Sequence, residues 1–493
     1  MEIAANMPAI QTSNFTKILF RRLIAMSRKS MSRRDFLRTA AGTSVALTAA
    51  GSLTALAQDA TPTPQDLPEG VAGTLTVIHR TEYFEEAQTI FREIVQDFAD
   101  ANGAELDIST ANSEAFGDFL GKMQAAVAAG NPPDFAYQSN ISNAQMHLLD
   151  LVEDVTDVVD EAVSRYGAIM QGTNAPANGQ FDGVWKAVPF IANTTGYFIR
   201  GDKLEELGID PATDLVTWDQ RRDAALAMSD TDGEFWGWGL TPNQSGDGYG
   251  YLMLVINSFG GHYTDETGTI VQFDSPETLA AVEWLTELYT SDTYAPALPP
   301  GILSWTDISN NEVYLAGNAG YTHNAFSVYA QAKRDDNPVF PNTLLLRAPQ
   351  GPSGMNHDGG GIGGWINIFK GAANADLAKE LTLSLLDPAN FNRMSSVAGG
   401  LFMPAYEDLW TDELISADPN FAIIKEQVSV EDPWIGHSWP AEPNAAIAAI
   451  QAASVPNQMM ANITAGRMTP AEAVTDAHNQ IVEIFEEGGI MQP

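Results

Sequence analysis

The sequence predicts an α/β protein of two lobes, each a sheet wrapped by helices, joined by strands that cross between them. Three stretches carry this reading. Thr74–Gln138 alternates short β-branched runs with amphipathic helices in the order β-α-β-α-β, the pattern of a parallel sheet covered by helices. Gly183–Arg200 (GVWKAVPFIANTTGYFIR) holds two β-rich runs separated by Pro189 and by the polar Asn193, Thr194 and Thr195. Proline keeps the residue before it extended and interrupts a ladder, so two short strands in different sheets are expected here, not one long strand. Asn342–Ala348 followed by Gly359–Phe369 suggests a second crossing. With 493 residues, 44% of them hydrophobic and 18% charged, the chain is globular in composition and long enough for more than one core.

The first 57 residues read differently. Ser32-Arg33-Arg34-Asp35-Phe36-Leu37-Arg38 leads into a weakly apolar run, Thr39–Ala57, that ends in the small-x-small signal Ala55-Leu56-Ala57. This resembles a twin-arginine export signal, with Met31 as an alternative start to Met1. Gln58–Gly73 reads as a flexible or polyproline spacer. The formal net charge is −38 over the whole chain, and because the leader holds 8 basic and 2 acidic residues, the rest carries −44. Such a surface repels nucleic acid and anionic lipid. The absence of cysteine excludes disulfides, thiolate metal sites and a cysteine lipid anchor. An exported protein, periplasmic or associated with the cell surface, is expected.

Along the chain, Thr74–His79 is a buried-strand candidate, and Phe84–Phe98 shows helical spacing that stops near Asn102-Gly103. Strands are expected at Glu105–Ser109 and Asp134–Gln138, with a helix over Phe116–Ala129 between them. Leu148–Ala162 reads as a capping segment. Later helices are expected at Asp202–Leu207, at Trp218–Met228 with Thr217 as N-cap, at Tyr251–Phe259 and at Pro276–Tyr289. Trp236–Thr241 and Ala319–His323 read as strands, and Thr264–Gln272 as a hairpin. Ala375–Leu386, Ala445–Ser454 and Pro470–Glu486 complete the helices. Gly359, Gly361 and Gly364 match a dinucleotide spacing, but a strand follows where that motif needs a helix. Trp236 and Trp238 share a strand face and are read as core. No nucleophile elbow, zincin motif or histidine cluster points to an enzyme or a metal, and no cofactor is expected.

Taken together, Ala126–Asp134 (AVAAGNPPD), Trp185–Phe190 (WKAVPF), Thr217-Trp218, Phe259-Gly260-Gly261 with Asp274-Ser275-Pro276, and Pro349–Gly354 (PQGPSG) resemble the extracellular solute-binding proteins of ABC importers, in the branch of the maltose and oligosaccharide binders. The resemblance covers Thr74–Gly489. It implies a periplasmic-binding-protein fold of the second type, with one lobe over 74–190 plus about 362–410 and the other over 192–355 plus about 411–493. It also implies a monomer that closes its cleft on a small molecule, a carbohydrate in the family pattern, and delivers it to ABC permease subunits. A cationic ligand such as a polyamine is the alternative, and a secreted carbohydrate-acting hydrolase a more distant one.

Sugars present hydroxyls at their rims and C–H patches on their faces, so amides, carboxylates and aromatic rings are the groups to look for. The candidates are Glu82 and Tyr83 after the first strand, Gln138 and Asn140 after the third, and Asn193 at the crossing. Tyr249 and Tyr251, Phe326, the run Gly363-Gly364-Trp365, and Trp434 and Trp439 complete the set. His323, at a strand end, reads as structural.

Overall fold

The computed structural model describes residues 70, 72–111, 119–139, 141–354, 357–441 and 444–493. The expected leader, nearly all of the spacer, and Asn140 lie outside the described residues. The chain folds into two α/β lobes that share one strand.

The first lobe opens as the alternation predicts. Strand β1 (Thr74–Arg80) leads to a helix over Glu85–Ala101, then β2 (Glu105–Ala111), a helix over Phe119–Ala129, and β3 (Phe135–Gln138). Strands β2 and β3 flank β1, both parallel to it. The helix Glu85–Ala101 buries Ala87, Phe91, Ile94 and Val95, which lie three or four residues apart, against this sheet. Asp134, fully buried, locks the layer. Its carboxylate accepts hydrogen bonds from the Thr76 N–H at 2.9 Å, the Thr76 hydroxyl at 2.8 Å and the Asn374 N–H at 2.8 Å. The turn Gly130–Pro133 thus ends in an anion that ties β1 to the start of a helix 240 residues later.

A small hairpin, β4 (Gln180–Phe181) and β5 (Val184–Trp185), precedes β6, which corrects the expectation of two separate strands. Val188–Arg200 is a single strand of 13 residues. Its first half pairs antiparallel with β10 (Gly360–Ile368), which in turn pairs with β3. Its second half pairs with β8 (Ala319–Ala325) and β9 (Thr343–Leu346), and β8 pairs in parallel with β7 (Trp236–Trp238). The partner changes between Thr194, opposite Gly360, and Thr195, opposite Ala325. Pro189 is tolerated because it sits at the second residue of the strand. On the flank away from β10, the short β11 (Met403–Pro404) reaches only Ile191 and Ala192. The crossing is therefore made by one strand whose two halves belong to different sheets. The glycine run after Gly359 is itself strand, and Gly360 is required there: a Cβ would sit 2.2 Å from the Asn193 carbonyl oxygen.

Separate apolar clusters fill the two lobes. One gathers Leu75, Phe91, Tyr137, Phe190, Ile366, Leu381 and Phe391 in the first lobe. The other gathers Trp218, Trp238, Tyr251, Trp284 and the C-terminal Val474, Ile481 and Phe485. A third cluster, with Ala192, Phe198, Phe326, Tyr329, Met403 and Ile424, lies behind the crossing. Helix Trp218–Met228 starts at a full capping box between Thr217 and Gln220. Two expected elements are shorter than read: the strand at Trp236 stops at Trp238, and the hairpin over Thr264–Gln272 reduces to one bridge, Thr264 to Val271. Among the described residues no helix is long and apolar enough to cross a membrane.

Candidate functional site

A cavity of about 510 Å³ opens where β6 passes from one sheet to the other, within the range of small-molecule sites. Its floor is the polar side of the crossing strand, with Asn193, Thr195 and Tyr197 at alternate positions. Gly359–Gly361 contributes bare backbone on one side, and His323, Asn324 and Ala325 from the end of β8 line another. The helix Gly246–Phe259 presents Gly246, Asp247 and Gly250 from its N-terminal end, and the loop Trp434–His437 lines the remaining side. Gln427 reaches in from the helix Phe421–Val428.

The polar groups are held firmly. Asp247 accepts from the Asn324 amide at 3.0 Å and the Asn310 amide at 3.2 Å, while its N–H donates to Asp307 at 2.8 Å. Burial, then the neighbouring Asp307, pushes the Asp247 carboxyl up to about 6. Asp358 is buried and ion-paired with Arg347, which also reaches Glu426 at 3.0 Å. The Trp434 N–H donates to the Asp358 carbonyl at 3.0 Å and its indole N–H to Asn257 at 3.2 Å, so backbone and ring are both fixed. His323 stacks on Tyr197 with ring centres 4.7 Å apart. His437 meets Tyr249 and Trp434 edge-on at 5.0 and 5.2 Å. Burial lowers His437 to about 4 and His323 to about 3, so both rings are neutral at physiological pH. No lysine or arginine is among the described residues that line this cavity.

A second cavity, of about 480 Å³ and mostly apolar, lies between Pro211–Val216, β9 and the helix Phe421–Val428. Its one buried guanidinium, Arg221, is already committed to the Leu215 carbonyl at 2.9 Å and the Tyr321 hydroxyl at 3.0 Å. The polar cleft at the crossing is the better candidate.

With this geometry in view, the comparisons are direct. A family model described as bacterial extracellular solute-binding protein matches residues 93–423. The chain belongs to this family. Solved structures similar to this solute-binding protein include an ABC transporter solute-binding protein from Thermotoga lettingae bound with α-D-tagatose. It has 17% identity and a TM-score of 0.60, over 84% of this chain and 99% of that one. Another is a cyclic α-maltosyl-1,6-maltose binding protein from Arthrobacter globiformis, with 20% identity and a TM-score of 0.59 over 84% and 99%. A third is the GacH receptor of Streptomyces glaucescens, solved unliganded and with acarbose, with 18% identity and a TM-score of 0.59 over 84% and 99%. At these identities the likeness speaks for the two-lobed fold alone. No curated protein matches by sequence.

Of the residues singled out from sequence, Asn193 and Trp434 line the cleft of this solute-binding protein, and Trp439 sits just behind it, 5.9 Å from His357. The other described candidates are placed elsewhere. Phe326 is 3% exposed and turned to the back of the crossing, edge-on to Phe198 at 5.2 Å. Tyr251 packs edge-on against Trp218 and Trp238 in the second-lobe core, and the Tyr249 hydroxyl meets that of Tyr263 at 3.0 Å. Their helix starts at Gly246, five residues earlier than expected, so its periodicity gives the cleft to 247 and 250. Gln138 is buried, its amide spent on the Ile141 N–H at 2.8 Å and on Asn367 at 3.0 Å. Trp365 is first-lobe core beside Gly179. Glu82 is ion-paired with Arg80 at 2.9 Å, and Arg80 also donates to the Gly363 carbonyl at 2.8 Å. Gly363 borders the Asn193 side chain, Gly364 the Tyr137 ring. Tyr83 is exposed under the Arg334 guanidinium.

Asp247, Asn324, Gln427 and His437 were not found from sequence, and His323, read as structural, lines the cavity. Asp247 had a signal: Ser245 ahead of it is the N-cap, accepting from the Gly248 N–H. Gln427 lies at helical spacing on the buried face of its helix with Phe421, Ile424 and Val428, so its signal was a polar residue on an otherwise apolar stripe.

Proposed function

We propose that this solute-binding protein is the exported component of an ABC importer that captures a sugar or oligosaccharide and hands it to a membrane permease. The observation that carries the reading is the cleft at the crossing. Asn193, Asp247, Asn324 and the backbone of Gly359–Gly361 can pair with hydroxyls, a pinned Trp434 can cover a sugar face, and no lysine or arginine is among the described residues of the walls. Relatives of the same fold hold α-D-tagatose and acarbose, and another is named for binding cyclic α-maltosyl-1,6-maltose. The proposed lobes, 74–190 plus about 362–410 and 192–355 plus about 411–493, close over this cleft as a monomer about the middle of β6. Separate apolar clusters on the two sides support that division. Export by the twin-arginine route rests on Arg33-Arg34 and Ala55-Leu56-Ala57 in the sequence.

A second reading, a cationic solute such as a polyamine, draws on the Asp247 carboxylate in a cleft whose described lining residues include no lysine or arginine. A thermal-shift panel separates the two. D-tagatose, maltose, maltotetraose, laminaribiose and ribitol stand against spermidine and glucose 6-phosphate. Stabilisation by a neutral saccharide, without turnover, is expected, because a ligand that binds only the folded state raises its stability. Stabilisation by spermidine alone would transfer the assignment to the second reading.

A further inference from the structure

His437 brings polar atoms to the cleft that the protein itself does not use. It stands in the loop Trp434–His437 on the cavity wall and is partly exposed. Its ring meets Tyr249 edge-on with centres 5.0 Å apart and Trp434 at 5.2 Å, and these contacts fix its place. Neither ring nitrogen has a hydrogen-bond partner among the described residues. Neither is among the unpartnered atoms that are cut off from solvent, so both can still be reached.

Gly250 keeps one of them uncovered. A Cβ at that position would lie 3.5 Å from His437 Nε2, so any side chain there would rest on the nitrogen. The glycine is inside the helix Gly246–Phe259 and has no positive φ, so backbone conformation does not call for it. Alanine would suit a helix interior better. Asp247, three residues earlier, shares the same helix face and lines the same cavity. Both asparagine amides that bind its carboxylate use Oδ2, which leaves Oδ1 without a partner among the described residues. The bare backbone at Gly250 therefore has an unpaired carboxylate oxygen on its own helix and an unpaired imidazole nitrogen across from it.

Burial lowers the His437 ring to about 4, so at physiological pH one nitrogen donates and the other accepts. A hydroxyl does both, and so pairs with Nε2 whichever nitrogen carries the proton. An ammonium group only donates and suits one tautomer alone.

We propose that His437 is a specificity-determining residue of the cleft: its Nε2 hydrogen-bonds a hydroxyl of the bound solute, which lies on the bare helix backbone at Gly250 beside Asp247. A solute with no hydroxyl at that point leaves the nitrogen facing an apolar group and binds less tightly. This inference rests on the cleft being a saccharide site.

The test uses the full chain as wild type, His437→Phe, His437→Gln and Gly250→Ala, titrated calorimetrically with D-tagatose, maltose, maltotetraose, laminaribiose and ribitol. Phenylalanine keeps a ring against Tyr249 and Trp434 and removes only the two nitrogens, which bond to no described residue. Glutamine returns a hydrogen-bonding group near the position of Nε2. For whichever saccharide wild type binds, His437→Phe should lose about tenfold in affinity or more, the effect of one polar group left unpaired. His437→Gln should regain most of that loss. Gly250→Ala should melt higher than wild type when empty and yet bind more weakly, a combination that damage to the fold does not produce. Unchanged affinity in His437→Phe would overturn the inference and leave the cleft assignment standing. So would an equal loss in His437→Phe and His437→Gln, the mark of a ring that only packs, or wild-type affinity in Gly250→Ala. If wild type binds none of the five, the saccharide reading fails first and takes this inference with it.

Discussion

The two faces of β6 share one backbone and have opposite environments. Asn193, Thr195 and Tyr197 look into the cleft, whereas Ala192 and Phe198 look back into the cluster of Phe326, Tyr329, Met403 and Ile424. Strand periodicity alone produces the contrast, because successive side chains leave on opposite sides. The front is polar, with Asn193 and Thr195 exposed, whereas the back is buried and closely packed, so a change there leaves a hole. A strand that joins two lobes can therefore hold them together with one face and recognise a solute with the other.

The largest expected effect belongs to the back. Phe198→Ala removes a fully buried ring stacked against Tyr329 with centres 5.7 Å apart, and should cost about 3–5 kcal/mol in urea unfolding. The folded fraction should still bind with wild-type affinity; a loss under about 1 kcal/mol would mean that the back cluster does not hold the lobes.

Acid sharpens the contrast from the front. His323 and His437 line the cleft and His79 sits in the first lobe, with values of about 3, 4 and 4 set mainly by burial. The unfolded chain takes up these protons near 6.5. Between 6.5 and about 4 it binds more protons than the native state, so stability falls as pH falls, by about 1.4 kcal/mol per pH unit for each ring. Asp247, raised to about 6, works in the other sense: the native state binds the extra proton between about 4 and 6, so its contribution falls as pH rises. Three groups outweigh one, and unfolding at stepped pH should show stability declining below 6.5. His437→Gln should flatten that slope by about one proton; an unchanged slope would place the titration elsewhere.

On binding, Trp434→Ala should weaken the best saccharide of the panel about tenfold, roughly 1.4 kcal/mol of ring contact, read by calorimetry. The smallest effect is the control away from both faces. Thr217→Ala breaks the capping box of helix Trp218–Met228 and should cost about 1 kcal/mol in unfolding with no change in affinity.

Much of this architecture was legible in the order of residues. The β-α-β-α-β run, the cap at Thr217, the helix Pro276–Thr290 and the second crossing are local patterns, each set by periodicity, proline or a capping side chain within a few residues. The reading failed where a neighbour distant in sequence overrode a local rule. Pro189 argued for a break in the strand, yet the sheet carried it, because it lies near the strand's start with one flank nearly free. Phe326 had the composition of a sugar platform, but the turn after β8 points it backward onto Phe198. Gln138 sat at the right strand end and was claimed by Asn367, 229 residues further on.

By itself, then, the sequence determined the lobed α/β character, most helices, the acidic exterior and the motifs that carried the family resemblance, because those depend on spacing along the chain. Which side chains meet in the cleft was decided only by tertiary structure. Asn193, Asp247, His323, Gln427 and Trp434 come from five separate segments, and no period links them; only the packing of both sheets and the surrounding helices around β6 brings them to one cavity.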